Sequence, residues 1–405
     1  MVFLIQPRDP LIVRDGRPFS AFPGAKVRGY AFPPPQVVAG AVRGLVGLGC
    51  GFKPGEADKN RWEDLLSRVC LEGPLLYDFS QEEVFYPAPL DALLMGLDSD
   101  SSGYELYRLR PEQLRKGELT NLPEGLEPVF APEDAPKGKP ASMPAFWKEE
   151  QFMKWLVDEF QGPISVESPG DLGIEGLLRD YRTHVKIDSP SQTAEESMLF
   201  ETSGLAFVYA ETRREREGSV RGERARLSGL RELSLLIRVR GEPPEECGQK
   251  MDALLGGVHP MGGERRLALW KAANEDVWPA EPPEGLVEKI VKDRRARLVL
   301  LTPADFNANG NRKPYLPPGK HFGGAKVQAA AVGRPLTVSG WDMLAKKPKP
   351  SRRFVPAGSV YFVDLSGVDD IEAWVRDRWM RVLPEQPDRR SRCDGYGLAV
   401  VGAWR

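Results

Sequence analysis

LSLLIRV, at Leu233–Val239, is the stretch on which the fold reading turns. A short apolar run bounded by charge suits a strand buried in a sheet. Working outward along the chain, Glu246–Leu255 predicts a helix, and Arg265–Trp270 and Arg297–Leu301 predict strands. Asp369–Val382 predicts a second helix with an apolar face, and Leu398–Ala403 a last strand. With insertions set aside the order is strand, helix, strand, strand, helix, strand, which is the ferredoxin-like split βαβ order.

The N-terminus reads as the start of a similar unit. Val2–Gln6 (VFLIQ) predicts a buried strand, and Gln36–Leu48 (QVVAGAVRGLVGL) predicts a helix opening after three prolines. The glycines at 40, 44 and 47 weaken that helix, so they are expected to admit the close approach of another backbone. Further on, VCLEGPLLYDF and YELYRL read as strand pieces, PEGLEPVFAPEDAPKGKP reads as a surface insertion, and residues 145–160 read as an amphipathic helix. The expected fold class is α+β: two ferredoxin-like (RRM-like) domains with long loop insertions. Their expected limits are 1–205, with a variable insertion around 93–170, and 206–405, with a glycine-rich loop near its end.

The chain has 405 residues, 41% apolar and 28% charged, so it can bury a sizeable core. Its 41 glycines and 37 prolines imply many turns and structured loops. Net charge is −2, from 56 basic and 58 acidic side chains, so any argument for nucleic-acid binding must rest on local clustering. Cys50, Cys70, Cys247 and Cys393 have neither zinc-ligand spacing nor the density of a disulfide framework, and reduced thiols are expected. No signal-peptide pattern opens the chain and no run of about 18 apolar residues could span a membrane. A cytoplasmic protein is the expectation.

Four basic features stand out. Arg14–Phe19 (RDGRPF) holds a turn at Asp15-Gly16 that would project Arg14 and Arg17, with Lys26 and Arg28 following and FPPP at Phe32–Pro35. Arginines there can fork onto phosphates, or Asp15 can pair with Arg17 and only shape the loop. Gly395-Tyr396-Gly397 follows RRSRCD (Arg389–Asp394, including Arg392), and its glycines permit positive φ and close approach of a ligand backbone. A tight turn into a buried strand fits it equally. It is neither a Walker loop nor a dinucleotide fingerprint. Ala345–Arg353 (AKKPKPSRR) carries five basic residues, Lys347, Lys349, Arg352 and Arg353 among them, and no acid. Thr212–Arg226 carries six arginines and three glutamates around two glycines, a pattern for a hairpin tip. Most such runs are solvated faces, but beside aromatics such as Phe354 and Tyr361 they also suit a single-stranded RNA groove. Finally, GGERR (Gly262–Arg266) offers Arg265 and Arg266, either to RNA or to surface ion pairs.

Evidence for catalysis is thin. The histidines are His184, His259 and His321, and THVKID places His184 and Lys186 on one strand face. No metal-ligand grouping and no G-x-S-x-G motif occurs. No cofactor is expected.

Together these stretches resemble the RAMP superfamily, and specifically the Cas5-like subunit of the type III-B (Cmr) CRISPR effector complex. The resemblance is carried by DPLIVRDGRPF, FPPPQVVAGAVRG, THVKID…TAEESMLFET (183–202), GGERR, LTVSGWD (336–342), KPKPSRRFVPAGSVYF (347–362) and GYGLAVVG (395–402), in order along nearly the whole chain. Residues 93–170 carry little of it. The resemblance implies two ferredoxin-like domains and a non-catalytic subunit that holds the 5′ tag of the guide RNA (crRNA) in antiviral defence. It implies as partners the large polymerase/cyclase-like subunit and the first backbone RAMP subunit. Carried over, the matching positions are Arg14, Arg17, Arg43, Arg265, Arg266, the 346–353 run and Gly395–Gly397. The rival readings are a repeat-processing endoribonuclease, distinguished by cleavage lost on changing His184, and a structural adaptor with little RNA contact.

Overall fold

The computed structural model describes the chain except residues 16–24, 27–28, 54–57, 98–102, 116, 124, 159–161, 217–222, 308–314, 318–321, 343–346, 385–388 and 405, and the side chains of 25–26, 197, 212–216 and 223–228. In chain order the principal elements are β1 (Val2–Pro7), α1 (Pro35–Gly49), β2 (Cys70–Asp78) and α2 (Glu149–Val157). Next come β3 (Leu178–Ile187), β4 (Ala194–Ala206), β5 (Glu223–Arg240), α3 (Met251–Leu255) and β6 (Arg266–Ala273). The last part holds α4 (Leu286–Asp293), β7 (Arg295–Leu300), β8 (Lys326–Ala331), β9 (Val360–Asp364), α5 (Ile371–Arg376), α6 (Arg389–Asp394) and β10 (Leu398–Ala403).

Two sheets carry the fold. At the centre of the first the order is β2-β5-β1-β6, every neighbour antiparallel. The second runs β8-β9-β7-β10, also antiparallel. Numbering only the four strands of each order along the chain, both orders are second, third, first, fourth. The six elements from Leu233 onward do not form one unit, as the sequence order suggested. The first three join β1, and the last three belong to the second sheet. Val2↔Arg238 and Ile5↔Trp270 pairing places β5 and β6 with the N-terminal strand, so the sheets divide the chain after β6 and not at 205/206. Strand patterns are local signals, and pairing across more than 200 residues leaves no local trace.

β1 is buried along both faces, the mark of a strand covered on each side. Phe3 and Ile5 pack with α1 (Val38, Val42, Val46) and α3 (Leu254, Leu255). Val2 and Leu4 join the other core, with α2 and the second sheet. The Pro-rich part of the insertion runs largely exposed, but its end does not: Trp147, Phe152 and Trp155 are buried, with Phe152 stacked on Tyr86 at 4.4 Å. Here Arg297 of β7, fully buried, donates to Ala403 O, to Trp155 O and to Asp91, which also accepts from Trp155 Nε1. Arg297 thus fastens the second sheet to Asp91 by an ion pair and to the insertion by a hydrogen bond to Trp155 O.

Two expectations fail. A Cβ at Gly40 or Gly44 would meet nothing within 4 Å, and at Gly47 it would meet the Trp62 ring, so no backbone approaches α1 at its glycines. The cysteines are not free thiols: Cys50–Cys247 and Cys70–Cys393 are disulfides, across 197 and 323 residues. Such separations hide the pairing from spacing arguments. Among the described residues no helix is long and apolar enough to cross a membrane.

Candidate nucleic-acid interface

Residues 11–15 are held between three other segments. Leu11 exchanges backbone hydrogen bonds with Leu205 of β4, Gly263 N donates to Ile12 O, and Tyr30 N donates to Val13 O. Arg179 of β3 donates to Tyr30 O at 3.1 Å. Residues 11–13, Tyr30, the Arg179 end of β3, the Leu205 end of β4 and Gly263 of the GGERR stretch, far apart in sequence, therefore meet along one seam. Arg14 is exposed on it. Gly262 (φ +74) lies under Ile12, and Glu264 and Arg265 follow with φ of +56 and +51, a left-handed pair that is costly outside glycine and sets Arg265 in solvent. Arg266 is engaged by Glu264 at 2.8 Å. Arg17 and Arg28 lie outside the described residues, as does the side chain of Lys26, whose backbone pairs with Glu201.

Tyr30 links this seam to a second basic group. Its hydroxyl donates to Thr337 O, and Gln36 Nε2 donates to Ser339 O, in the hairpin formed by Leu336–Val338 and Arg352–Phe354. Lys347 and Arg353 are exposed there. Lys349 is partly buried, and burial, then the charge of Arg390, hold its ammonium below the usual lysine range. Arg352 is engaged by Asp305 and by Ser391 Oγ and lies over Phe354. An apolar cleft of about 240 Å³, lined by Tyr30, Phe32, Pro34, Phe146 and Leu336, opens beside the Tyr30–Gln36 segment.

The glycine turn and Arg43 are elsewhere than the sequence reading put them. Gly395 and Gly397 do adopt φ of +92 and +76. The close approach they permit is to protein: a Cβ at Gly395 would lie 2.7 Å from Gly73 O. The amides are already used, Gly395 N on Arg392 O and Gly397 N on Pro303 O, while Gly395 O accepts from Thr302 Oγ1. Tyr396 is buried and stacked on Phe354 at 4.3 Å, and burial pushes its phenol well above the usual range. Arg43 is buried on α1. It donates to Val69 O at 3.0 Å, to Cys393 O at 2.7 Å and to Asp394. Turn and arginine form a joint between the two sheets, and present neither amides nor guanidinium at the surface. Arg392 donates to Pro384 O. Arg390, exposed on α6 beside Lys349, is a cation the sequence reading did not single out. Only its place in the RRSRCD run pointed to it.

His184 Nε2 meets Thr202 Oγ1 at 2.8 Å and its ring stacks on Phe200. Lys186 pairs with Glu195 at 2.6 Å. Both are cross-strand contacts of the β3–β4 ribbon. The arginine-rich stretch forms part of an antiparallel hairpin, with Thr212–Arg216 opposite Glu223–Leu227. Among the described residues no group of His, Cys, Asp or Glu is placed to hold a metal ion. Glu281, Glu284, Glu288 and Glu372 line one cleft beside α4 and α5, which helps explain how local basic groups coexist with a net charge of −2.

A chain in the cryo-EM structure of the type III-B Cmr-beta bound to cognate target RNA and AMPPnP is 14% identical, covers 89% of this chain and 86% of its own, and has a TM-score of 0.46. A chain of the Csm3-Csm4 subcomplex from the type III-A interference complex is 10% identical, covers 91% and 94%, and has a TM-score of 0.37. No curated protein matches. The model of the CRISPR-associated protein family Cas_Cmr3 matches residues 3–404, essentially end to end, in agreement with the order of motifs along the sequence. The chain belongs to the Cas_Cmr3 family and is a Cmr-type CRISPR subunit.

Proposed function

We propose that the chain is a non-catalytic, cytoplasmic subunit of a type III-B RNA-guided effector in antiviral defence, which binds the 5′ tag of the guide RNA and docks on the large polymerase/cyclase-like subunit, with the first backbone subunit beside it. The family match over residues 3–404 carries this reading. The shared strand order supports reading each sheet as a ferredoxin-like domain, the first ending after β6.

Exposed Arg14, Arg265, Lys347 and Arg353 would supply affinity through phosphates, and splayed bases would supply sequence preference. A phosphate beside Lys349 would favour its ammonium by charge, against the burial and the Arg390 charge that disfavour it. The apolar cleft at Tyr30–Leu336 has room for an unstacked base. His184, bonded to a threonine and stacked on Phe200, has the setting of a structural ribbon residue, which favours a binding role over a nuclease.

The test is binding of guide RNA with and without its tag, to the chain alone and with the large subunit, at two salt concentrations. Tag-dependent binding without cleavage, weakened by Lys347→Glu with Arg353→Glu, supports the reading. The salt slope should then fall by about 0.7 per lost phosphate contact. Tag-independent or absent binding in both settings overturns it in favour of an adaptor, and cleavage lost on His184→Ala overturns it in favour of a nuclease.

A further inference from the structure

The two disulfides lie on either side of the joint just described. Cys50 follows the last residue of α1 and is bonded to Cys247, in the short turn Glu245–Cys247 between β5 and α3. Cys70 opens β2 of the first sheet and is bonded to Cys393 of α6, which leads into the glycine turn and the second sheet. The second bond therefore crosses between the halves of the molecule. It runs parallel to a non-covalent link, because Arg43 holds Cys393 O and Asp394 on one side and Val69 O, next to Cys70, on the other.

Their surroundings differ. Cys393, on α6, is 5% exposed and its partner Cys70 partly buried, whereas Cys50 and Cys247 are both only partly buried, with exposed Glu245, Glu246 and Gly248 around Cys247. Thiol–disulfide exchange needs a thiolate to reach a sulfur along the S–S axis, so access orders the two bonds. Cys70–Cys393 also has arginines around it, with Arg43 on its carbonyl and Arg389 donating to Ser67 O. These hydrogen bonds go to backbone carbonyls, and Arg43 is paired with Asp394, so they position α6 and leave the sulfurs uncharged.

We propose that Cys70–Cys393 is a redox-operated clamp on α6 and the glycine turn. Oxidised, it fixes α6 to the first sheet, with Arg390 set against Lys349. Reduced by a dithiol, it leaves α6 held only by non-covalent contacts: Arg43, Arg352 on Ser391, Arg389 on Ser67 O and the turn's own hydrogen bonds. In that step the dithiol delivers two electrons and two protons, the S–S bond becomes two thiols, and the dithiol leaves as its own disulfide. Cys50–Cys247 is the more accessible bond and opens first without freeing α6. An effect of the clamp on guide RNA would follow from the function proposed above and rests on it, but the clamp itself does not.

The experiment begins with cells lysed in N-ethylmaleimide and the chain's peptides mapped without reduction. The expected result is no alkylated cysteine and two linked peptide pairs, 50 with 247 and 70 with 393. The protein is then titrated with dithiothreitol, with alkylation and amide exchange followed together. Cys50 and Cys247 should label first, with exchange at 389–397 unchanged. Labelling of Cys70 and Cys393 should accompany a rise of at least about tenfold in exchange there. Cys393→Ser should show the fast exchange without reductant, and Cys247→Ser should not. If Cys393→Ser does not fold, the titration of the unaltered chain decides. Free thiols at 70 and 393 in the trapped sample overturn the proposal, and so does exchange that stays unchanged after both are labelled. Neither readout involves RNA, so a failure here is separable from failure of the tag-binding reading.

Discussion

Changing Arg43 to methionine separates two accounts of the same residue. The motif resemblance places Arg43 among residues that could touch RNA, whereas the fold buries it as a joint. Methionine keeps much of the aliphatic volume and removes the guanidinium. Val69 O loses its bond from Arg43, as does Cys393 O, each loss costing about 1 kcal/mol. Asp394, 8% exposed in its side chain, is left beside α1 without its cation. Removing one partner of a buried pair typically costs about 3–5 kcal/mol, a range that includes the hydrogen bonds lost with the guanidinium. A loss of about 4 kcal/mol is a large part of the whole stability of an ordinary domain. Urea denaturation reads it as a shift in midpoint at constant slope. Asp394→Asn in the Arg43→Met background should cost little more, giving a coupling energy above about 1.5 kcal/mol. A loss below about 1 kcal/mol, with guide RNA binding weakened nonetheless, would refute the argument and return Arg43 to the RNA surface.

Three further outcomes are expected. Arg297→Met strands Asp91 in the core and should cost about 3–5 kcal/mol, partly recovered in Arg297→Met with Asp91→Leu; calorimetry of the three proteins checks it. Gly395→Ala, at φ +92 with Gly73 O 2.7 Å from the new Cβ, should cost about 2 kcal/mol or more, while Gly44→Ala, open within 4 Å on α1, should gain up to about 1 kcal/mol by urea melts. Glu149 is held above the usual carboxylate range, first by burial and further by Glu83 beside it. Its folded pKa is raised, so its contribution is full below the ordinary glutamate range and is lost as pH rises through the shifted value. Glu149→Gln should therefore be more stable than the parent at neutral pH, with the difference vanishing in acid, as read from midpoints at several pH values.

What could be read from the sequence divides along the range of the signal. Val2–Pro7, Pro35–Gly49, Cys70–Asp78 and Leu398–Ala403 fall within a residue or two of their predicted spans, because apolar runs and a proline-marked helix start are local signals. Which strands share a sheet was not local. Nothing in LSLLIRV says that Ile237 will lie opposite Phe3 and not opposite a strand from the following hundred residues. The same limit governs the joint. Positive φ at Gly395 and Gly397 was legible, but the identity of the approaching backbone was not, and it turned out to be Gly73 and Leu71 of β2 in place of a ligand. Arg43 and Asp394, like Cys70 and Cys393, are separated by more than 300 residues, and neither pairing leaves a local trace in the sequence. Read together they explain one another. A glycine turn that presses on β2 needs something to hold it there, and the chain supplies a buried ion pair and a covalent bond within one residue of each other. Exposed cations such as Arg14, Arg265, Lys347 and Arg353 are then the residues left free to meet a partner, and the resemblance had named these as well without being able to tell them from the joint.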